Sequence, residues 1–489
     1  MSDRPGTARN VLLMFLTQFA SWAVTFVVMI YVPRYLGAAG LGKLTYVSNT
    51  VGLFGVLVTL GTGNVIIRSV SRDNSTAPSY LTNSYALCLP LAVIAGFMAY
   101  SFSFFGHYSP STRVLLALAA ISLFTGVFSG VNYNILQGLE RFSKQNLVAL
   151  VEKYLNSLLL LGLVFLKAKL WVLVLIGPVS NVVAAVYSST YLRDVFAAAK
   201  PPHVKQIREM VNVGLPFLGF AIFRQLYGQT DPLIIRFVST FQAVGWYAAA
   251  AKLIGATMIF PVSVSTVMLP VMSRQFQVDR QQFDASVFRF YKLMVLSSLP
   301  IALLTVAFAR RFILLLHYGP SFANSIPVLQ VGSIALVFFF VAMPFGSAVI
   351  ATDKQVQLMQ TAIIAAVIFI PTCFLASKLT GQYMGNAALG ATVSDAIVEM
   401  VIITCYIRAL PTGCVTSMYL KYALRCGLAC APMGALLWLG LKLRGLDLLV
   451  GLGAIVAYAA AAYMLGCIQQ EDIQSVKNMI SAKMGRTSS

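Results

Sequence analysis

Five charged residues sit where the surrounding sequence is apolar. Arg224 and Asp231 lie in one such stretch, Lys252 in the next, and Asp395 with Glu399 in a later one. Charge at hydrocarbon depth is costly, so each position is a functional candidate by default. Arg224 and Asp231 are two helical turns apart and are expected on one face. Asp231 and Lys252 fall about 9–12 Å in from the same end of their helices, at 1.5 Å per residue. Two chemistries fit. In one, Asp231 with Lys252 and Arg224 with Asp395 form buried ion pairs that lock the bundle. In the other, the charges line a cavity. There Arg224, Lys252, Arg34 and Arg68 attract an anionic head group, and Asp231, Asp395 and Glu399 hold a coupling proton or cation. Gln18, Trp22, Tyr46 and Asn49 supply neutral lining to the same cavity. Pro232 follows Asp231 directly, and a proline frees a carbonyl about one turn back, close to the carboxylate.

Other chemistries find no support. No G-x-x-x-x-G-K-[ST] is present to hold ATP, and Gly37-Ala-Ala-Gly40-Leu-Gly42 lacks the dinucleotide spacing and the strand–helix unit around it. Seven cysteines and three histidines show no metal-ligand spacing, and Cys426 with Cys430 has no further pair nearby. No nucleophile–base pair and no large polar loop with paired carboxylates occurs. The reading is therefore a non-enzyme without cofactor or metal.

These residues need elements to hold them, and the composition says which. Of 489 residues 58% are hydrophobic and only 10% charged, against about 25% charged in a soluble domain; the mean hydropathy is +0.81. The net charge of +20 then points to basic loops against anionic lipid rather than to nucleic acid. About fourteen stretches are long enough to span a bilayer as helices, near 11–33, 44–67, 83–106, 112–137, 147–166, 170–192, 211–237, 244–270, 292–316, 325–350, 358–379, 386–408, 419–442 and 447–468. Placing both termini in the cytoplasm puts Lys and Arg inside over outside at about two to one. After Met464, Ile473, Val476, Met479 and Ile480 recur at helical spacing, behind Glu471 and Asp472 and ahead of Lys483 and Arg486. That pattern predicts an amphipathic helix on the inner leaflet.

The two halves repeat. Leu41-Gly42 through Ser71-Arg72 matches Val244-Gly245 through Ser273-Arg274, Phe105-Gly106-His107-Tyr108 matches Tyr318-Gly319-Pro320-Ser321, and Glu140-Arg141 matches Asp353-Lys354. The offset drifts from 202 to 213. Six spans per repeat make it parallel, with an axis along the membrane normal. The expected divisions are an N-terminal lobe at 1–198, a C-terminal lobe at 199–410, and two further spans with the tail at 411–489.

The sequence also resembles a known family. Asn10 and Gln18, Pro33-Arg34-Tyr35-Leu36-Gly37-x-x-Gly40-x-Gly42, Gly61-x-Gly63 and Arg68-x-x-x-Arg72 resemble the start of Wzx-type polysaccharide flippases. Those belong to the multidrug/oligosaccharidyl-lipid/polysaccharide (MOP) exporter superfamily. Gly214-Leu-Pro216, Asp231, Val244-Gly245-x-Tyr247-x-x-Ala250-x-Lys252, Tyr318-Gly319 and Tyr383-Met-Gly385-x-x-Ala388-x-Gly390-Ala391-Thr392 resemble later signatures. The resemblance implies an all-α polytopic protein, two six-helix lobes in a V around a central cavity with two extra helices. It implies a flippase in a bacterial inner membrane that moves undecaprenyl-diphosphate-linked oligosaccharide outward for O-antigen, capsule or exopolysaccharide synthesis. H+ or Na+ would drive it, membrane lipids would surround it, and polysaccharide polymerase or assembly proteins are candidate partners. A MATE-like small-molecule/cation antiporter and a flippase for lipid II or a teichoic precursor are the alternatives.

Overall fold

The structure, a computed structural model, describes the backbone of residues 6–104, 108–440 and 447–468. It describes their side chains from residue 24 onward, apart from those of 216 and 220. The predicted tail helix and Phe105-Gly106-His107 lie outside the described residues. Every described element is helical. In chain order they are α1 (Gly6–Thr59), α2 (Thr62–Arg72), α3 (Ala77–Ser101), α4 (Pro110–Gly138), α5 (Phe142–Phe165), α6 (Leu170–Val174), α7 (Ile176–Thr190), α8 (Arg193–Ala197) and α9 (Val204–Gln229). Then follow α10 (Asp231–Val238), α11 (Phe241–Thr257), α12 (Ile259–Val278), α13 (Arg280–Leu315), α14 (Ser325–Ala351), α15 (Gln355–Met384), α16 (Ala387–Ala409), α17 (Ser417–Gly440) and α18 (Asp447–Met464).

Among the described residues, twelve segments are long and apolar enough to cross a membrane. The two further expected spans have clear locations. The first runs into the second within α1, which turns at Gly37 (φ 63°, ψ 177°), a left-handed conformation that glycine adopts without penalty. The seventh, α9 with α10, carries Lys205, Arg208, Glu209 and Arg224 and is not among the twelve.

The chain divides into two compact units. One comprises residues 1–249, 314–324 and 366–391, the other 250–313, 325–365 and 392–489. In the first, α3, α4 and α7 share a polar staple at Asn132. Its amide donates to Ser188 Oγ at 2.8 Å and accepts from Tyr85 Oη at 2.7 Å. Interhelical hydrogen bonds of this kind suit a medium where helix association rests on packing and polar contacts. The second unit is built on α13. Phe283, Phe290, Tyr291 and Met294 are buried there against Phe340, Phe345, Tyr419 and Cys426. Tyr291 and Tyr419 meet with rings tilted by 55° and centroids 4.8 Å apart, and Phe288 meets Tyr419 edge-on at 4.9 Å. Such pairs add about 0.5–1.5 kcal/mol each beyond area burial. The two extra helices belong to this core: Tyr458 of α18 donates to Leu296 O, and Tyr422 of α17 to Cys467 O. All seven cysteines are free thiols.

The repeat is visible in local backbone. After α4, Leu139, Glu140 and Arg141 N–H bond to Ile135, Gln137 and Leu136 carbonyls; after α14, Thr352, Asp353 and Lys354 bond to Ala348, Ile350 and Val349. Every pair is offset by 213, and the matched residues Glu140 and Asp353 both take positive φ, 56° and 55°. Both are glycine-type helix caps formed without glycine. The Ser-Arg match shifts. The equivalent residues are Asp73 and Asp279, each extended (φ −147° and −148°) and each accepting from an N–H two residues on.

The glycines of the repeat meet each other. A Cβ on Gly42 would fall on the Phe241 carbonyl oxygen and 2.8 Å from Gly245 N; a Cβ on Gly245 would fall on the Ala38 carbonyl and 2.9 Å from Ala38 Cα. Residues 38 and 42 are offset by 203 from 241 and 245, so each glycine touches the counterpart of the residue that its own counterpart touches. This is a self-complementary crossing, as at a two-fold axis. Only glycine lets α1 and α11 approach so closely.

Candidate functional site

Asp231 begins α10 and is 4% exposed. The interruption there has a local cause. Pro232 has no N–H to continue α9, Thr230 ends that helix with its hydroxyl on Leu226 O, and Leu233 and Ile234 N–H start the next helix on Thr230 O. The Asp231 carboxylate faces the Tyr247 hydroxyl from α11 and Cys373 Sγ from α15, the latter at 3.9 Å. It is an acid held by neutral donors, and all three residues fall in the first unit. Arg224 lies across the interruption and is exposed, so the two are in different environments rather than on one shared face. Its neighbour Gln225 donates to Gly52 O at 2.8 Å, tying α9 to α1.

Arg34 is committed to a loop far along the chain. Its Nε donates to Leu316 O at 2.6 Å, a second guanidinium nitrogen lies 3.2 Å from His317 Nδ1, and the group sits over the Tyr31 ring. Tyr318 reinforces the joint by donating to Met29 O. Arg68 is exposed on α2. Tyr46 is fully buried, its ring 5.2 Å from Tyr108 and 5.6 Å from Phe241, beside Arg236, which stacks on both partners. The structure therefore seats Tyr46 in a packed aromatic–cation cluster rather than on a cavity wall. Asn49 bonds back to Thr45 O within α1. The side chains of Gln18 and Trp22 lie outside the described residues. Lys252, Asp395 and Glu399 fall in the second unit, the first two half-buried and Glu399 buried. Among the described residues no three His, Cys, Asp or Glu side chains cluster to hold a metal.

One polar feature of the first unit was legible in the sequence only at Asn156, a polar residue within an expected span. On α5, Gln145, Asn146, Glu152, Lys153, Asn156 and Ser157 line one cavity of about 550 Å³ with Tyr133 of α4. Tyr133 Oη donates to Glu152 at 2.7 Å. A neighbouring cavity of about 470 Å³ shares Asn156, and a third of about 380 Å³ shares Tyr133. The signal was a Glu-Lys pair six residues into a predicted span, readable as a loop charge.

The fold is similar to that of solved flippases and transporters of the MOP superfamily. A lipid II flippase, MurJ, in an inward closed conformation is similar with a TM-score of 0.73 at 14% identity, over 93% of this chain and 98% of that one. An inward-facing multidrug resistance MATE family transporter gives 0.61 at 14%, over 82% and 95%. A MOP superfamily transporter from Pyrococcus furiosus gives 0.55 at 14%, over 81% and 93%. No curated protein matches the sequence. The profile of the family described as "Polysaccharide biosynthesis protein" matches residues 7–276, more than half of the chain, and the chain belongs to that family. Family and fold together support a membrane flippase or transporter, in keeping with the Wzx-type resemblance.

Proposed function

We propose that the protein flips a polyprenyl-diphosphate-linked oligosaccharide from the cytoplasmic to the outer leaflet of a bacterial inner membrane, for surface polysaccharide synthesis. The observation that carries this reading is polar and charged lining at membrane depth in a chain of the polysaccharide biosynthesis family. A diphosphate and a string of hydroxyls cannot cross hydrocarbon unaided, because unpaired buried polar groups and ions are costly. A protein path supplies partners, and the prenyl tail stays in lipid. The lobes 1–198 and 199–410 alternate access, with 411–489 appended and both termini cytoplasmic. Arg224, Lys252, Arg68 and Arg34 attract the diphosphate, Arg34 once its loop contact opens. Asp231, Asp395 and Glu399 are the candidate sites for a coupling H+ or Na+, and a polymerase receives the product outside. No step calls for bond-making by the protein.

Deletion of the gene tests the reading in cells. The expected result is loss of surface glycan, with oligosaccharide-linked polyprenyl diphosphate accumulating, and rescue by the wild-type chain but not by Arg224→Ala inserted at equal level. Normal surface glycan in the deletion strain, with a drug-sensitivity phenotype instead, overturns it.

A further inference from the structure

The polar stripe on α5 demands an explanation. Asn156 stands fourteen residues into the helix, about 21 Å from its first residue. Leu158 on another face is 58% exposed, as a lipid-facing residue would be. Gln145, Glu152, Asn156 and Ser157 recur near helical spacing on the face toward Tyr133. Polar groups at that depth are tolerated only against protein partners or a wet cavity, and the cavity is there, at about 550 Å³. Its size lies within the range of small-molecule sites, roughly 300–1,000 Å³.

The chemistry selects the ligand. Glu152 and Lys153 cancel in charge, so the groove has no excess of cations to hold a diphosphate. Amides, a hydroxyl, a carboxylate and one lysine offer donors and acceptors along a line. The Tyr133 ring flanks them, fixed by its bond to Glu152. That combination fits a sugar, whose hydroxyls need both donors and acceptors and whose C–H faces pack on aromatic rings. We propose that the α4–α5 groove is the glycan subsite of the transporter, holding sugar units at Tyr133, Gln145, Glu152, Lys153, Asn156 and Ser157, apart from the groups that hold the phosphates. The proposal rests on the flippase reading above.

Maleimide labelling tests it with the full-length protein in vesicles. Asn156→Cys and Gln145→Cys report the groove, and Leu158→Cys on the lipid side is the control, each read above the wild-type background. Two probes are added in turn: lipid-linked oligosaccharide extracted from the deletion strain, and undecaprenyl diphosphate without sugar. At about ten times Kd the free fraction falls about tenfold. The glycan-bearing lipid is expected to slow labelling of both groove cysteines by that factor, with bare undecaprenyl diphosphate and the Leu158→Cys control unaffected. Equal protection by the bare diphosphate would assign the groove to the lipid carrier and overturn the proposal. So would unprotected groove cysteines in vesicles whose wild-type protein still transports. Absence of transport by the wild-type protein in the same vesicles would instead overturn the flippase reading.

Discussion

Replacing Gly42 with alanine tests the α1–α11 crossing. The added Cβ meets the Phe241 carbonyl oxygen and lies 2.8 Å from Gly245 N. An unstrained contact between a carbon and a carbonyl oxygen needs about 3.3 Å, and the new Cβ falls on the Phe241 oxygen, so the helices must part by more than about 1 Å. A gap of that size forfeits about half of the dispersion along the contact. Overpacking of this kind costs about 1–3 kcal/mol. Alanine also gains about 1 kcal/mol of helix propensity over glycine, which must be separated out. Gly130 in α4 provides the reference, because a Cβ there meets no atom within 4 Å. Gly130→Ala should raise stability by the propensity alone, leaving about 1–3 kcal/mol between the two variants. For a chain of 489 residues that is a difference of a few degrees in Tm, about 1–2 °C per kcal/mol. Thermal melts of detergent-purified protein, followed by size-exclusion chromatography of the surviving fraction, measure it. Gly245→Ala should match Gly42→Ala, since the contact is self-complementary. A Gly42→Ala protein that melts with or above Gly130→Ala refutes the crossing.

Asn132→Ala removes bonds to Ser188 and Ser189 and strands the Tyr85 hydroxyl; a loss of about 1–3 kcal/mol is expected in the same melts. Between α5 and α8, the Arg141 guanidinium holds the Asp194 carboxyl below the usual carboxylate range. A depressed pKa means that the pair stabilises above about pH 4 and that this is lost as pH falls through the native value. The pair is partly exposed and worth little, about 0.2–1 kcal/mol, so Asp194→Asn should melt slightly below wild type at pH 7 and together with it at low pH. A constant gap across that range counts against the pair. Asp231→Asn keeps the shape of the buried acid but not its proton exchange. Transport driven by a pH or sodium gradient should fall towards the ungated rate, and unchanged gradient dependence would remove Asp231 from coupling.

The spans were legible because hydropathy over twenty residues averages out local detail, and the break expected between 33 and 44 holds Gly37, where glycine takes the left-handed backbone. The repeat was legible at Glu140 and Asp353, whose backbones coincide bond for bond. It was misaligned near Ser71 and Ser273, since the feature that recurs there is an extended, capping Asp rather than a dipeptide. Long-range partners were not legible. Nothing near Arg34 announces a loop 282 residues away, and nothing in Tyr46 separates a cavity wall from a packed ring. Helical periodicity put Arg224 and Asp231 on one face; Pro232 overrides it by ending the regular helix between them. Glu152 and Lys153 were hidden because the span was expected to begin near 147, which put them close to its end, whereas the helix begins at Phe142 and holds them near its middle. Only the cavity beside them distinguishes the stripe from a loop.

Purified protein in sealed vesicles, loaded on one leaflet with fluorescent undecaprenyl-diphosphate oligosaccharide, gives the most direct answer. The labelled lipid is expected to become accessible to a membrane-impermeant quencher on the far leaflet only when the protein is present, and more slowly with Arg224→Ala. Equal redistribution in protein-free vesicles, or none with folded wild-type protein and an imposed ion gradient of either kind, would contradict it.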